Sequence, residues 1–268
     1  MPLILNNALL TNTYIHERKG GNMLVDDLHL TSKHVAALAK NDERMVVVQN
    51  FVSSDLCNDV GAAFVSSVRK ARSSGSEIYR TNALPFFNAI ENREKYDTYF
   101  AQALEYMNGM RKVAQPYPYP ADTLRLALDE VWAGGAQLLT IEKQKTLFGI
   151  CRIWKEGSEG LPHQDVLRRE LPDDDYAARI SCQFGANIYL TTPKEGGELR
   201  VWDRVVEDEE WKRLDVPGSY GYSPTVLEGC AFETYRPKSG DLVLINTAYI
   251  HSILPTISGE RVTISGFG

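Results

Sequence analysis

The sequence predicts a mainly β fold of the α+β class, in which a β-sandwich or jelly roll is braced by N-terminal helices. Two observations favour it: residues 54–133 have helical periodicity, and residues 146–268 contain short strand-like segments divided by Gly, Pro and Asp turns. The chain has 268 residues, of which 43% are hydrophobic, so it can bury a substantial core. All-β domains often reach this size as one unit.

We therefore expect a single domain over residues 1–268, in three parts. Residues 1–44 form an N-terminal segment, residues 45–145 supply a strand plus helical support, and residues 146–268 form the jelly-roll core with the metal site. The first 20 to 25 residues are either mobile or a lid, and both readings stay open. They do not resemble a signal peptide, because no basic stretch precedes their apolar residues, and no apolar run is long enough for a transmembrane helix.

The helical part begins after one predicted strand over residues 45–50, where Ser53 or Ser54 can cap the first helix. The apolar residues of this helix recur at four-residue steps and therefore share one face: Leu56, Val60, Phe64 and Val68. The other predictions for this half are an irregular apolar stretch over residues 80–90, helices over residues 94–113 and 122–132, and a proline-rich break at 115–120.

The C-terminal part is predicted to contain at least six strands. They cover residues 148–154, 180–190, 196–202, 232–235, 242–246 and 262–267. Many short strands after a helical layer are typical of a jelly roll with helices on one side.

Two histidines and one aspartate indicate the chemistry. His163 and Asp165 form a His-x-Asp pair, and His251 follows the predicted strand that ends at residue 246. Two neutral imidazoles and a carboxylate are the 2-His-1-carboxylate triad that binds non-haem Fe(II) and leaves positions free for a co-substrate and O₂. Residues two apart on an extended segment point the same way, so His163 and Asp165 can reach one ion while Gln164 points away. We predict that the triad forms the metal ligands and catalytic residues.

Arg261 follows His251 by ten residues, on the predicted last strand. If 2-oxoglutarate chelates the iron, its distal carboxylate needs a fixed bidentate cation, which a guanidinium supplies. Thr263 shares the face of Arg261, and Asn187 and Tyr189 share the parity that faces the barrel interior. We predict that all four bind the co-substrate. The alternatives are a surface arginine in a salt bridge, a packed tyrosine and a strand-edge asparagine.

Four residues are candidates for the substrate pocket. Phe86, Phe87 and Asn88 follow Pro85 and either wall the pocket or pack in the core. Arg152 meets a carboxylate of the substrate or co-substrate, or a surface acid, and the surface acid is the favoured interpretation. Residues 166–176 are highly charged and read as an exposed loop and a lid.

Composition excludes some partners. The net charge is −6 without a basic block, which argues against nucleic acid as a partner. The expected partner is a small-molecule substrate, and no membrane partner is expected. The four cysteines are widely spaced without a CxxC pair, which predicts free thiols in a reducing cytoplasm. His16, His29 and His34 are interpreted as solvated. A homodimer is expected because two-fold dimers are the commonest homo-oligomers.

Together these residues resemble the Fe(II)/2-oxoglutarate-dependent oxygenase superfamily, over about 220 residues from ERMVVVQNFVSSDLC to the C-terminus. GGELRVWDR, SYGYSP, KSGDLVLIN and GERVTISGFG are most similar to a small-molecule-tailoring subgroup, which includes the carrier-independent alkaloid halogenases and related hydroxylases. The resemblance implies a double-stranded β-helix that uses Fe(II), 2-oxoglutarate and O₂. His163, Asp165 and His251 match the metal ligands, and Arg261 matches the co-substrate arginine.

Asp165 departs from the halogenase pattern. In the halogenases a small residue replaces the carboxylate ligand and chloride takes the vacated position. With Asp165 present, the expected biosynthetic reaction is hydroxylation of an unactivated C–H bond, in a free amino acid or a natural-product scaffold, with succinate and CO₂ as co-products. The alternatives are desaturation, epimerisation or cyclisation, a cupin-type iron dioxygenase that does not need Arg261, and a non-enzymatic β-sandwich binding module.

Overall fold

The computed structural model describes residues 3–5, 24–27, 29–70, 79–81, 83–214 and 221–267. The helices are α1 (Ser32–Ala39), α2 (Ser54–Lys70), α3 (Phe86–Ala89), α4 (Arg93–Ala114), α5 (Pro120–Val131), α6 (Leu167–Glu170) and α7 (Asp208–Leu214). The strands are β1 (Leu3–Leu5), β2 (Leu24–Asp27), β3 (Met45–Val48), β4 (Tyr79–Thr81), β5 (Ala136–Leu138), β6 (Thr140–Ile141), β7 (Gln144–Lys145), β8 (Ile150–Trp154), β9 (Gly160–His163), β10 (Phe184–Thr191), β11 (Glu195–Gly196), β12 (Leu199–Val205), β13 (Phe232–Tyr235), β14 (Leu242–Asn246), β15 (Tyr249–Ile253), β16 (Thr256–Ser258) and β17 (Arg261–Phe267).

Two β-sheets form the body of the fold. The major sheet has the strand order β2-β3-β14-β10-β17-β8-β4, and the minor sheet has the order β13-β12-β15-β9. An apolar cluster fills the space between them, with Tyr189, Val243 and Ile245 from the major sheet and Val201 and Tyr249 from the minor sheet. The predicted mainly β fold, a jelly roll buttressed by helices, is confirmed.

Four helices, α1, α2, α4 and α5, cover the outer face of the major sheet. The apolar face predicted for α2 is buried, and it packs in one cluster with outward residues of the sheet such as Val262 and Ile264. The cluster members that α2 contributes at four-residue steps are Leu56, Val60, Phe64 and Val68. Asn92 caps α4 by accepting a hydrogen bond from the Lys95 backbone N–H at 2.9 Å.

A buried ion pair joins the two sheets. Arg44, next to β3, places Nη2 2.6 Å from Asp203 Oδ1 on β12, and its side chain is 6% exposed. Its guanidinium also lies over the ring of Tyr249, with 5.1 Å between the guanidinium carbon and the ring centroid. This contact holds the minor sheet against the major sheet near the strand that carries His251.

Several segments differ from the predictions. β10 begins at Phe184 instead of residue 180, because the Asp174 carboxylate accepts hydrogen bonds from the backbone N–H groups of Tyr176 and Ala177 and starts a 3₁₀ turn over 177–179. The stretch predicted as irregular overlaps β4 and contains α3. The strands β9 and β15, which carry the two predicted histidine ligands, were not predicted as strands.

One prediction of exposure is wrong, and a second is correct only in part. His34 is buried, and its Nδ1 accepts a hydrogen bond from the Thr31 backbone N–H at 3.2 Å at the start of α1. The segment 166–176 is only partly exposed, because it contains α6, whose Leu167 is buried. His29 is exposed as predicted, whereas His16 and most of the predicted N-terminal lid lie outside the described residues.

No helix in the described ranges has both the length and the apolar character needed to cross a membrane.

Candidate metal centre and co-substrate pocket

The two histidines of the predicted triad are cross-strand neighbours in the minor sheet. His163 is the last residue of β9, His251 lies in β15, and the two residues are directly paired in the antiparallel register. Directly opposite residues carry their side chains on the same face. The two rings accordingly lie 4.3 Å apart between centroids.

Asp165 completes the group just beyond the end of β9. Its Oδ2 lies 3.3 Å from His251 Nε2 and 3.7 Å from His163 Nε2. One ligand atom from each of the three residues lies within 4.8 Å of the others. The structure therefore brings the three predicted ligands together.

The backbone determines which ring nitrogen of each histidine is free. His163 Nδ1 lies 2.6 Å from the carbonyl oxygen of Leu161, and His251 Nδ1 lies 3.0 Å from that of Tyr249. A carbonyl oxygen only accepts, so Nδ1 carries the proton in both rings. The lone pair of each Nε2 is then directed towards Asp165. This is the tautomer that a histidine needs in order to bind a metal through Nε2.

The protonation states also suit a cation. Burial, and then the neighbouring His251, lower the pKa of His163 to about 4 against the opposing effect of Asp165. Burial alone would raise the pKa of Asp165, but the adjacent His163 and His251 outweigh it and lower that pKa to about 2. At neutral pH this pair is a neutral imidazole and a carboxylate, as metal binding requires. The donor set fits Fe(II).

Arg261 lies on the inner face of the major sheet, at the start of β17, and is 1% exposed. Its Nη2 donates to the Tyr189 hydroxyl at 3.4 Å. The guanidinium carbon also lies over two aromatic rings, 4.9 Å from the centroid of Tyr189 and 5.6 Å from that of Trp154. A cation in this apolar setting fits a small dicarboxylate such as 2-oxoglutarate.

A polar row continues from Arg261 along the same face. Thr263 is paired with Tyr189, and Ser265 is paired with Asn187. The Ser265 hydroxyl donates to Asn187 Oδ1 at 2.8 Å and lies 3.3 Å from the Thr263 hydroxyl. The four residues predicted from strand parity to share the interior therefore do share it. Ser265 and Trp154 were missed, although the same parity could have found them.

Arg152 lies on this inner face too. It is half-buried in β8 and is directly paired with Thr263, while the next inward residue of the strand, Trp154, is paired with Arg261. This location differs from the favoured prediction of a surface contact. It puts a second arginine beside the row that contains Arg261.

The predicted aromatic wall divides into two parts. Phe86 is buried and meets Tyr99 and Phe100 edge to face, with ring centroids 5.6 and 6.4 Å apart. Phe87 is 54% exposed. Asn88 donates its side-chain N–H to Glu91 at 2.9 Å. The contacts of Phe86 are those of core packing, so a substrate role for the three residues stays a prediction.

A family model described as carrier-protein-independent halogenase WelO5 matches residues 22–268. The L-gamma-glutamyl-L-propargylglycine hydroxylase of Streptantibioticus cattleyicolor is 29% identical over 143 residues, covering 52% of this chain and 52% of that protein. The leucinostatins biosynthesis cluster protein S of Purpureocillium lilacinum is 33% identical over 129 residues, covering 47% and 51%. The chain thus spans about half the length of the curated relatives it matches.

Solved structures show the same architecture. The N-substituted L-amino acid dioxygenase from Burkholderia ambifaria AMMD has a TM-score of 0.60 at 18% identity, over 88% of this chain and 86% of that chain. The structure of that enzyme in complex with alpha-KG has a TM-score of 0.58 at 19% identity. The similarity at this level of identity is one of fold.

Proposed function

Because this chain belongs to the family of the carrier-protein-independent halogenase WelO5, we propose that it is an Fe(II)- and 2-oxoglutarate-dependent dioxygenase. Its reaction is hydroxylation of an unactivated C–H bond in a small molecule. One O₂ and one 2-oxoglutarate are consumed, one oxygen atom enters the substrate, and succinate and CO₂ leave. The observation that carries the proposal is the convergence of His163, Asp165 and His251 within 4.8 Å.

Asp165 is the reason for proposing hydroxylation within a family described by a halogenase. A carboxylate at this ligand position leaves no vacancy for chloride. When Fe(II) is bound, it supplies the oxygen activation that breaks the C–H bond. The protein's own contribution is to hold the metal with His163, Asp165 and His251 and to orient both substrates.

The co-substrate would be held at the inner face of the major sheet. Arg261 binds its distal carboxylate in a bidentate manner, and Thr263 and Tyr189 add hydroxyl contacts. Asn187 extends the polar row through Ser265. The burial of Arg261 supports this role, because a charge-assisted hydrogen bond is strengthened where water is excluded.

We propose an amino acid or an amino-acid derivative as the substrate. Two relatives are named as enzymes that act on such molecules, a γ-glutamyl dipeptide in one case and N-substituted amino acids in the other. Arg152 would bind the substrate carboxylate, with Phe86, Phe87 and Asn88 along the pocket wall. The half-buried position of Arg152 beside Thr263 supports this assignment.

The broader setting is also proposed. The partner is a small molecule and not a membrane, and the absence of a basic block argues against nucleic acid. The four free cysteines fit a cytoplasmic enzyme. The major sheet combines strands from both halves of the chain, from β2 to β17, which supports a single domain. A homodimer is proposed from the base rate alone.

The test is a mass-spectrometric screen of amino acids, N-acyl amino acids and γ-glutamyl dipeptides with Fe(II), 2-oxoglutarate and O₂. We expect a product heavier by one oxygen atom, formed together with succinate, in the wild type. Asp165→Ala and His251→Ala should lose it. Full turnover in either variant, or turnover without 2-oxoglutarate, would contradict the proposal.

A further inference from the structure

Gln164, the middle residue of the His-x-Asp motif, uses every hydrogen-bonding group of its side-chain amide. Its Nε2 donates to the carbonyl oxygen of Ala248 and, at 3.4 Å, to that of Val206. Its Oε1 accepts from the Tyr222 hydroxyl at 2.5 Å and from Arg169 Nη1 at 3.2 Å. Carbonyls only accept and a guanidinium only donates, so the amide has a single satisfactory orientation.

The bond from Gln164 to Ala248 joins the two segments that carry the triad. Ala248 lies three residues before His251 on the chain, and Gln164 lies between the other two ligands. Two further bonds join the same segments, because the Asp165 N–H donates to the Thr247 carbonyl at 3.2 Å and the Thr247 hydroxyl donates to the Asp165 carbonyl at 2.8 Å. The relative position of the ligands therefore depends on this junction.

Arg169 is itself held firmly. Its side chain is 8% exposed, and its Nε lies 2.8 Å from Asp208 Oδ1. Its Nη2 donates to the Val206 carbonyl at 2.6 Å, and its guanidinium carbon lies 5.3 Å from the ring centroid of Trp211. The carbonyl of Val206 thus accepts from both Arg169 and Gln164.

Tyr222 is anchored beside the same motif. Its backbone N–H donates to the carbonyl of Pro162 at 2.7 Å, while its hydroxyl binds Gln164. The tyrosine therefore contacts the residues on both sides of His163. We call Gln164, Tyr222 and Arg169 together the Gln164 clamp.

We propose that the Gln164 clamp is a positioning device that sets the separation of the two ligand segments and thereby the affinity for Fe(II). The inference rests on the proposed function, since it presumes that the triad binds iron. Fixing the geometry of ligands on separate strands in advance strengthens metal binding, because less ordering is needed when the ion binds. Contacts that orient ligands typically change metal affinity 10- to 100-fold.

Two substitutions test the clamp. Gln164→Glu keeps the shape of the side chain but replaces two N–H donors with a carboxylate oxygen that faces the carbonyls of Ala248 and Val206. We expect the dissociation constant for Fe(II) to rise about 10- to 100-fold. Tyr222→Phe removes one hydrogen-bond donor and should raise the dissociation constant for Fe(II) about 2- to 10-fold. The matched control is Tyr117→Phe, which removes a hydroxyl bonded to Asp59 at 2.8 Å and should leave the constant unchanged.

The measurement is an anaerobic titration of the full chain with Fe(II), alongside the charge-transfer absorption of the Fe(II)–2-oxoglutarate complex and the unfolding midpoint of each metal-free protein. The expected result is weaker binding and an altered absorption band, with Tyr222→Phe unfolding at the wild-type midpoint. If Gln164→Glu fails to fold, Tyr222→Phe decides.

Two outcomes contradict the inference and differ from one another. Wild-type affinity in every folded variant would exclude the clamp and leave the iron site intact. Absence of Fe(II) binding by the wild type would remove the proposed function and the clamp with it.

Discussion

Arg261 is the bulkiest fully buried side chain among the described residues. Burying a guanidinium costs free energy, so such a residue needs compensation from its surroundings. Its neighbours on the inner face are the rings of Tyr189 and Trp154 and the polar row that begins at Thr263. A fixed fork of N–H donors at this point matches the distal carboxylate of 2-oxoglutarate.

Replacement of Arg261 should therefore affect the co-substrate and not the metal. We expect Arg261→Gln to raise the dissociation constant for 2-oxoglutarate at least 30-fold, since loss of one partner of a buried charged pair costs about 2–5 kcal/mol. Affinity for Fe(II) should stay near the wild-type value. Calorimetry with the iron-loaded protein measures 2-oxoglutarate binding, and an anaerobic titration of the metal-free protein measures Fe(II) binding. Arg236→Gln, at an exposed arginine, is the control. Unchanged 2-oxoglutarate binding would show that Arg261 has another role.

At the scale of single residues, the sequence predicted the triad better than its surroundings. His163 and Asp165 are near neighbours in the chain, and the periodicity of strands is enough to put them on one side. Three partners of Gln164 lie far away in sequence, at Val206, Tyr222 and Ala248, and no local pattern connects them to it. Tertiary packing alone brings these groups together.

At the scale of elements, alternation within strands was the reliable signal. Arg261 and Thr263 face inward while Val262 and Ile264 pack on the helices, as a period of two requires. The same rule did not reveal β9 and β15. These strands are only four and five residues long and contain polar residues that serve the candidate site, which weakens the hydrophobic pattern.

Gly149, just before β8, lies where α5 packs against the major sheet, so its replacement tests that contact. Its φ is +85°, and a Cβ here would lie 2.4 Å from Ala121 Cβ and 2.7 Å from the Tyr119 hydroxyl, which donates to the Gly149 carbonyl. We expect Gly149→Ala to lower the free energy of unfolding by about 3 kcal/mol, from crowding plus a left-handed backbone. Urea unfolding measures the change.

Gly157 is the matched control for Gly149. Its φ is +83°, but nothing lies within 4 Å of a Cβ built there. Gly157→Ala should cost only the backbone contribution of about 1–2 kcal/mol. Equal losses in the two variants would mean that the packing of α5 against Gly149 does not matter.

At the scale of the whole molecule, the Arg44–Asp203 pair bridges the sheets that enclose the candidate site. We expect Arg44→Met to lower the free energy of unfolding by about 2–3 kcal/mol. This is less than is usual for breaking a fully buried pair, because Asp203 is 29% exposed. Arg93 is 67% exposed and forms a surface ion pair with Asp97. Arg93→Met, which breaks this pair, should leave the urea midpoint unchanged. A similar midpoint in both variants would argue against a bridging role.

The fold class was predictable because the N-terminal half is rich in helices and the C-terminal half is rich in strands, and because the motifs resemble one family. The family match over residues 22–268 confirms that resemblance. The sequence did not predict that β2, β3 and β4 from the N-terminal half join the major sheet. Pairing between distant strands is decided by three-dimensional packing, which no local pattern records.

The most direct test of the account is the amount of iron bound per chain after anaerobic loading with Fe(II), in the wild type and in Asp165→Ala and His251→Ala. His29→Ala, at an exposed histidine, is the control. We expect one iron per chain in the wild type and the control, and little or none in the two ligand variants. A wild type that stays free of iron, or ligand variants that retain it fully, would contradict the account.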